Sequence, residues 1–479
     1  MPLDPATCYR ALRARDARFD GRFFVAVSST RIYCRPVCTV RPPKRENCRF
    51  YPSAAAAEQG GYRPCLRCRP ELAPGNSSID ATTRLAQVAA SLIEDGAMND
   101  GGLEGLATRL GVSERHVRRA LGAEFGVSPV EFAQTQRLLL AKRLLTDTTL
   151  PVTEVALASG FASLRRFNAL FKARYRLNPR QLRRAVARDR VGVPADALRF
   201  ELSYRPPYDW PFVAGFLAAR AVPGVEEVEG SAYRRTVRVS ADGREQRGWL
   251  EVAPAARKPV LVVTLSASLA KAAPVILGRV KSLMDLSCQP AEVASVLGRL
   301  AAGRPGLRVP GAFDGFEIAV RAILGQQVSV PAARTLAGRF AARFGEPLAA
   351  PFRSLSCVFP SPARIAALSP AEIASIGLPA ARARTLAALA RAMERGLELV
   401  PYADVERTLA ALRALPGVGE WTAQYIAMRA LAWPDAFPHT DLGVMKALKE
   451  RRPQKILAAA EAWRPWRAYA VMHLWRSLG

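Results

Sequence analysis

The chain has little that would take it to a membrane. No stretch of its 479 residues approaches the roughly 20 uninterrupted apolar residues of a membrane span. Its opening, MPLDPATCYRALRARDARFD, lacks the apolar core of a secretory signal. A cytoplasmic protein without a membrane partner is expected. Cysteine is scarce: there are eight, six of them before position 75. In a reducing compartment a disulfide framework is excluded, and clustered thiols read as metal ligands or nucleophiles. Low-complexity tracts are missing apart from Ala-rich helical stretches. Acidic residues are the minority, 41 against 69 Lys and Arg, which leaves a net charge of +28. Such an excess favours a polyanion through counterion release, and nucleic acid is the first candidate. A GC-rich gene, which inflates Arg and Ala, is the bland alternative. With half of its residues apolar, the chain can build sizeable cores, and its length suits about three or four domains.

The expected fold class is multidomain, mainly α with α+β parts. Residues 1–75 hold the cysteines, and 79–187 carry apolar residues three and four apart, the helical period. Residues 188–198 form a Gly- and Pro-bearing linker. From 199 to 300 the pattern turns β-rich: RFELSYRPPYDW, YRRTVRVS and KPVLVVTLSAS read as strands, with the helix PFVAGFLAARAV between the first two. Residues 301–479 are helical again.

Cys34 and Cys38, then Cys65 and Cys68, form two closely spaced pairs. Each short loop presents two sulfurs to one ion, the spacing of a tetrahedral zinc site. Cys8 and Cys48 have no partner at ligand spacing and read as buried thiols. The surroundings, GRFFVAVSSTRIYCRPVC, RPPKRENCRFY and YRPCLRCRPEL, resemble the N-terminal domain of the Ada family of alkylation-response proteins over about residues 18–72. That resemblance implies that Cys34 takes a methyl group from a methyl phosphotriester in DNA. A zinc-held thiolate is a fitting nucleophile for it. Four thiolates on one Zn²⁺ carry a formal charge of −2 and methylation leaves −1, so repulsion from DNA phosphate falls. The basic residues Arg31, Arg35, Arg41, Lys44 and Arg45 stand nearby in sequence.

LEGLATRLGVSERHVRRAL and TEVALASGFASLRRFNALFKARY share one plan. A helix ends at a glycine (Gly111, Gly160), a serine (Ser113, Ser163) caps the next helix, and an apolar anchor follows (Val117, Phe167). The second helices carry Arg118 and Arg119, and Arg165 and Arg166, on faces suited to a major groove. One such hairpin is common in plain bundles; two basic ones within about 75 residues point to DNA. The segment resembles the AraC family of transcription regulators over about 84–184, through Gly160, Phe161, Ser163, Phe167, Phe171, Lys172, Pro179 and Arg183. Promoter DNA and RNA polymerase are the partners this implies.

LPGVG at 415–419 separates two helical patterns. Gly417, Val418 and Gly419 suit a tight turn whose N–H groups hold a phosphate, although any helix hairpin can use such a sequence. Asp441 follows in FPHTDLGVMKAL. A carboxylate there can direct water or stabilise a sugar cation; taken alone, it reads as a helix N-cap. Hairpin, loop and aspartate together resemble the helix-hairpin-helix glycosylase superfamily. SYRPPYDW, FVAGFLAARAV, LGRLAAGRPGLRVPGAFDGFE, RAILGQQVSV, LPGVGEWTAQYIAMRA and RPWRAYAVMHLW narrow the resemblance to the AlkA-type 3-methyladenine DNA glycosylases from about 199 onward. It implies a catalytic Asp441 and a base pocket of Trp421, Tyr425 and Trp475, with Phe216 a weaker member. Each of these aromatics read singly is as readily core packing. Gln326 and Gln327 fall at the DNA-contacting loop, where Gln327 replaces the leucine that usually wedges into the base stack. Trp421 occupies the position of the lysine in lyase-active relatives, implying a single-function hydrolase. No cysteine cluster follows, so no iron–sulfur site is expected. No PCHR motif occurs, so repair of O6-methylguanine is not expected. The competing reading is a transcription regulator whose C-terminal half only binds lesions.

Overall fold

The computed structural model describes residues 4–74, 81–99, 101–148, 150–186, 197–241, 244–401 and 403–478. Helix α1 (Pro5–Ala14) begins at Asp4, whose carboxylate accepts from the N–H groups of Ala6 and Thr7. Its Cys8, Ala11 and Leu12 pack with Phe23, Val25 and Cys48. A four-stranded sheet follows, comprising β1 (Phe24–Val27), β2 (Ile32–Cys34), β3 (Cys48–Tyr51) and β4 (Arg63–Pro64) in the order β3-β1-β2-β4. Helix α2 (Ala54–Gln59) covers it. Elements this short bury little apolar surface, the situation in which small folds rely on a metal.

Seven helices come next: α3 (Ala81–Glu94), α4 (Gly102–Leu110), α5 (Glu114–Phe125), α6 (Pro129–Asp147), α7 (Val152–Ala158), α8 (Leu164–Tyr175) and α9 (Pro179–Val186). Helix α6 starts in a capping box of Ser128 and Glu131 and is buried on most sides, as suits a helix packed between neighbours. One neighbour is the end of α2, where Glu58 lies fully enclosed. Tyr33 donates to its carboxylate at 3.1 Å and Thr135 at 3.4 Å, while Arg174 donates to its backbone carbonyl at 2.8 Å. Burial pushes the Glu58 carboxyl up to about 7, against the counterpull of Tyr33, Arg174, Thr135 and Lys142. Its proton is held more tightly folded than unfolded. Stability from this group therefore falls as pH rises from about 4.5 through 7 and is level above. Glu58→Gln is expected to flatten this slope, by up to about 3 kcal/mol, in urea melts at pH 5 and pH 7.5. An unchanged slope would assign the pH dependence elsewhere.

Residues 187–196 lie outside the described residues. Ala197 and Leu198, read from sequence as the end of a linker, instead open strand β5 (Ala197–Ser203). With β6 (Glu226–Glu229), β7 (Ala232–Ala241), β8 (Arg244–Pro254) and β9 (Val260–Ser266) it forms an antiparallel sheet in the order β5-β9-β8-β7-β6. Strand β8 was not legible because Arg244–Arg247 are polar and Gly248 interrupts the alternation. Helix α10 (Trp210–Arg220) lies between β5 and β6, and α11 (Ala273–Leu283) and α12 (Pro290–Leu297) follow the sheet.

The remainder is helical: α13 (Gly315–Leu324), α14 (Val330–Phe344), α15 (Pro362–Ala366), α16 (Pro370–Ala374), α17 (Ala380–Glu394), α18 (Val405–Arg413), α19 (Glu420–Arg429), α20 (Leu442–Leu448), α21 (Pro453–Ala460) and α22 (Arg467–Arg476). Among the described residues only the short pair of strands β10 (Glu346–Pro347) and β11 (Cys357–Val358) interrupts it. One core joins these helices to α10 through Phe216.

A second core crosses the chain's midpoint. Leu138 and Leu145 of α6 and Phe167 and Phe171 of α8 belong to the same buried cluster as Phe200, Val263 and Leu277. Polar links run alongside it. Arg143 donates to the Glu201 carbonyl at 2.5 Å, Lys142 pairs with Glu71 at 2.6 Å, and Arg69 pairs with Asp147 at 2.7 Å. Among the described residues no helix is long and apolar enough to cross a membrane.

Candidate functional site

Asp441 caps helix α20: its Oδ1 accepts from the Val444 N–H at 3.0 Å. The same carboxylate is held by two indoles. Trp475 Nε1 donates to Oδ1 at 2.8 Å and Trp421 Nε1 to Oδ2 at 2.9 Å. Capping role and side-chain cluster are therefore both present. Three N–H donors fix the orientation of the carboxylate. The loop before it is pinned from two sides. Gln424 accepts from the Phe437 N–H at 3.0 Å, and Asp435 takes Arg467 at 2.6 Å and Arg464 at 2.5 Å.

The structure brings the four expected aromatics together beside this carboxylate. Trp421 and Tyr425, one turn apart on α19, stack at 5.4 Å with planes 16° apart. Tyr425 lies 6.4 Å from Trp475. Phe216 and Trp475 face each other nearly parallel, 13° apart, with ring centroids 6.3 Å apart. Two guanidiniums, unanticipated from sequence, already cover part of these faces. Arg220 sits 3.8 Å from the Phe216 centroid, and Arg429 lies 4.9 Å from Phe216 and 5.6 Å from Tyr425. A visible signal existed, because each arginine follows a pocket aromatic by four residues and so shares its helix face. Burial alone would raise the Tyr425 phenol, but Arg429, Arg220 and Arg321 together hold it below its ordinary range.

Gly443 is the other residue the sequence reading missed. A Cβ there would lie 2.8 Å from Trp475 Cδ1 and 2.9 Å from Asp441 Oδ1. Gly443→Ala is expected to displace the Trp475–Asp441 hydrogen bond and lower base excision by about 10²-fold. Thermal stability should hold, because alanine is the better helix former. Excision kinetics beside a thermal melt check this; unimpaired excision would show that the clamp tolerates the displacement.

The hairpin lies between α18 and α19. Gly417 adopts φ +80°, where a side chain is strained, and a Cβ would also strike Thr385 Oγ1 at 2.5 Å. Gly419 is extended and starts α19. Val418 departs from the expectation of a DNA contact. Its side chain is buried and its N–H already donates to the Leu415 carbonyl at 3.2 Å, because the turn closes on itself there. Gln326 is turned inward, donating to the Gly417 carbonyl and to Thr422 Oγ1, both at 2.9 Å. Gln327, at φ +56°, is exposed beside Val328 and Val330.

In the N-terminal segment the sulfurs of Cys34, Cys38, Cys65 and Cys68 lie within 4.8 Å of one another. A tetrahedral ion with Zn–S bonds of about 2.3 Å sets sulfurs roughly 3.8 Å apart, so the four residues fit zinc. Cys8 and Cys48 pack in another cluster. The Arg35 N–H donates to Cys68 Sγ at 3.3 Å, and its guanidinium is buried against Asp20. Of the nearby basic residues, Arg35 is thus not available to DNA, whereas Arg31, Arg41, Lys44 and Arg45 are exposed.

Both helical hairpins turn as expected. Gly111 (φ +66°) and Gly160 (φ +79°) end the first helices, and Ser113 and Ser163 cap the second. Val117 and Phe167 are buried. Arg118, Arg119, Arg165 and Arg166 are exposed, with Arg118 paired to Glu114 at 2.6 Å.

Four family models match the chain: "Metal binding domain of Ada" over 7–71, "Helix-turn-helix domain" over 106–185, "AlkA N-terminal domain" over 199–314, and "HhH-GPD superfamily base excision DNA repair protein" over 320–467. A Mycobacterium tuberculosis protein described as a probable bifunctional transcriptional activator/DNA repair enzyme AlkA is 41% identical, covering 100% of this chain and 97% of its own. The Escherichia coli DNA-3-methyladenine glycosylase 2 is 42% identical over 58% of this chain and 98% of its own. Among solved structures, a 3-methyladenine DNA glycosylase from Archaeoglobus fulgidus shares the fold, with a TM-score of 0.50 and 22% identity over 58% of this chain and 97% of that one.

Proposed function

The chain belongs to the family of bifunctional AlkA transcriptional activator/DNA repair enzymes, and on that premise we propose a division of labour along it. Residues 1–75 sense methylation, 79–187 bind promoter DNA, and 199–300 with 301–479 form a DNA-3-methyladenine glycosylase. The observation that carries the enzymatic reading is one carboxylate, Asp441, gripped by the indoles of Trp421 and Trp475 at the edge of an aromatic cluster.

In this reading an alkylated purine leaves the duplex and enters among Trp421, Tyr425, Trp475 and Phe216, while the Gly417–Gly419 turn holds backbone phosphate. Gln326 supports that turn, and exposed Gln327 meets the DNA beside it. The glycosidic C–N bond breaks with its electron pair going to the base. Asp441 offers negative charge to the sugar cation and an acceptor for the proton of the entering water. Trp421 has no amine to form a Schiff base, which supports hydrolysis without strand cleavage.

At the four-cysteine centre, bound zinc keeps the sulfurs as thiolates. Cys34 is the proposed acceptor. Its sulfur bonds to the methyl carbon, the carbon–oxygen bond of the phosphotriester breaks, and the oxygen keeps the pair as a diester anion. A small cavity walled by Leu12, Val25, Val40 and Pro42 adjoins Cys34 and Cys38 and suits an incoming methyl. The lost thiolate charge then raises affinity for promoter DNA, where Arg118, Arg119, Arg165 and Arg166 face outward and RNA polymerase is the further partner.

Incubating the protein with methylated duplex DNA tests the enzymatic reading. Release of free 3-methyladenine, with strands left uncut until alkali is added, is the expected result; no release from a folded, DNA-binding protein would overturn it.

A further inference from the structure

The arginines of the base pocket are at odds with a cationic ligand. N-alkylated purines carry positive charge, and the aromatic faces that would attract it already bear guanidiniums. Arg429 is buried, with its donors spent on the carbonyls of Pro310 and Gly311 and on the Tyr425 oxygen at 2.8 Å. Arg220 stacks on Phe216 and donates to the Phe216 carbonyl at 3.3 Å. Beneath them Arg321 pairs with Glu226 at 2.8 Å and Glu317 at 3.0 Å, and Arg235 with Glu317 at 2.5 Å. Four guanidiniums against two carboxylates leave an excess of two positive charges. Arg220 and Arg429 are the uncompensated pair, since neither forms an ion pair with a carboxylate among the described residues. A chain of contacts joins this wall to Asp441: both guanidiniums lie on Phe216, Phe216 faces Trp475, and Trp475 donates to the Asp441 carboxylate, whose charge also reaches Arg220.

We propose that Arg220 and Arg429 form an electrostatic wall that, opposed by Asp441, drives positive charge off the bound base and onto the sugar. The inference rests on the glycosylase reading above and adds to it a field with a direction. When the C1′–N bond breaks, its electron pair moves to the base nitrogen. A cationic purine departs neutral, and the positive charge appears on the deoxyribose beside Asp441. Water then bonds to C1′ and gives up a proton. As the bond breaks, the wall's repulsion of the base is relieved and the carboxylate's attraction for the sugar grows, so both lower the barrier. The wall does not help the cationic base to bind. It raises the rate and leaves affinity unimproved, the reverse of an aromatic cage for cations.

The test uses the full-length protein in excess over duplex DNA containing 7-methylguanine, with single-turnover rate and half-saturating protein concentration measured separately. Arg220 is chosen because it is only half-buried, with its guanidinium on the pocket residues Phe216 and Tyr425. Arg220→Met, which keeps the stem and removes the charge, is expected to slow release by about tenfold to a hundredfold. Half-saturation should be unchanged or tighter. Arg220→Lys is expected to recover most of the rate. Both variants are checked by thermal melting. If Arg220→Met weakens binding at an unchanged rate, or if Arg220→Lys is as slow as Arg220→Met in folded protein, the wall is overturned. Absence of release by the unsubstituted protein would instead remove the glycosylase reading and the wall with it.

Discussion

Asp441→Asn is expected to stop base release, lowering the single-turnover rate by at least about 10³-fold, while binding to the same duplex persists. The substitution changes charge more than shape. One side-chain oxygen can still accept from Trp475 and Val444, but the new amide presents donors to the indole of Trp421, which itself donates at 2.9 Å. The sugar cation then has no anion beside it, and an attacking water has no base. Binding survives because Gly417, Thr385 and the Gln326 bridge are untouched. Release assayed beside fluorescence anisotropy separates the two effects. Retained release would sink the assignment of Asp441. Binding without release in the unsubstituted protein would make the C-terminal half a lesion-binding module of a regulator.

The second large effect belongs to Cys34. Transfer of a labelled methyl group from phosphotriester-bearing DNA is expected to saturate at about one per chain, because an S-methyl thioether is no longer a nucleophile. Cys34→Ala should take up none, and Cys8→Ala and Cys48→Ala the full amount, since those thiols lie in a separate core. Cys68→Ala is expected to fail differently. It removes a ligand whose sulfur accepts the Arg35 N–H and whose neighbour Arg69 is tied to Asp147. Zinc is then lost and the segment unfolds, as seen by metal analysis and circular dichroism. In the methylated protein DNA affinity should rise and its salt dependence should change, as expected for a net charge altered beside phosphate. Uptake by the Cys34 variant would place the acceptor on another cysteine.

Most of this arrangement was legible because its signals are local. Paired cysteines, glycine–serine turns and the PGVG hairpin each fix a backbone over a few residues, and resemblance joined Asp441 to Trp421, Tyr425 and Trp475. What stayed hidden depends on tertiary neighbours. Gly443 reads as an indifferent residue in a helix, and only the position of Trp475 explains why no side chain fits. Arg35 reads as one more basic residue in a basic segment, yet it is buried on Asp20. Val418 sits in a motif read as holding phosphate, but the turn consumes its N–H. The wall of Arg220 and Arg429 was written in the four-residue spacing to Phe216 and Tyr425. In so arginine-rich a chain, that spacing alone does not separate a buried cation from a solvated one.

The core that crosses the midpoint means that the DNA-binding helices and the enzyme share one folding free energy. Phe167 and Phe171 of the second helix-turn-helix lie in the same dry cluster as Phe200 and Val263 of the sheet, so melting one side wets the apolar face of the other. A ligand that binds only the folded regulatory half also lengthens the lifetime of the folded catalytic half, by mass action alone. In a cell under alkylation stress, promoter DNA then acts as a stabiliser of the repair enzyme. Cutting the gene near residue 197 would yield not two independent proteins but two halves, each with a sticky surface that the other used to cover.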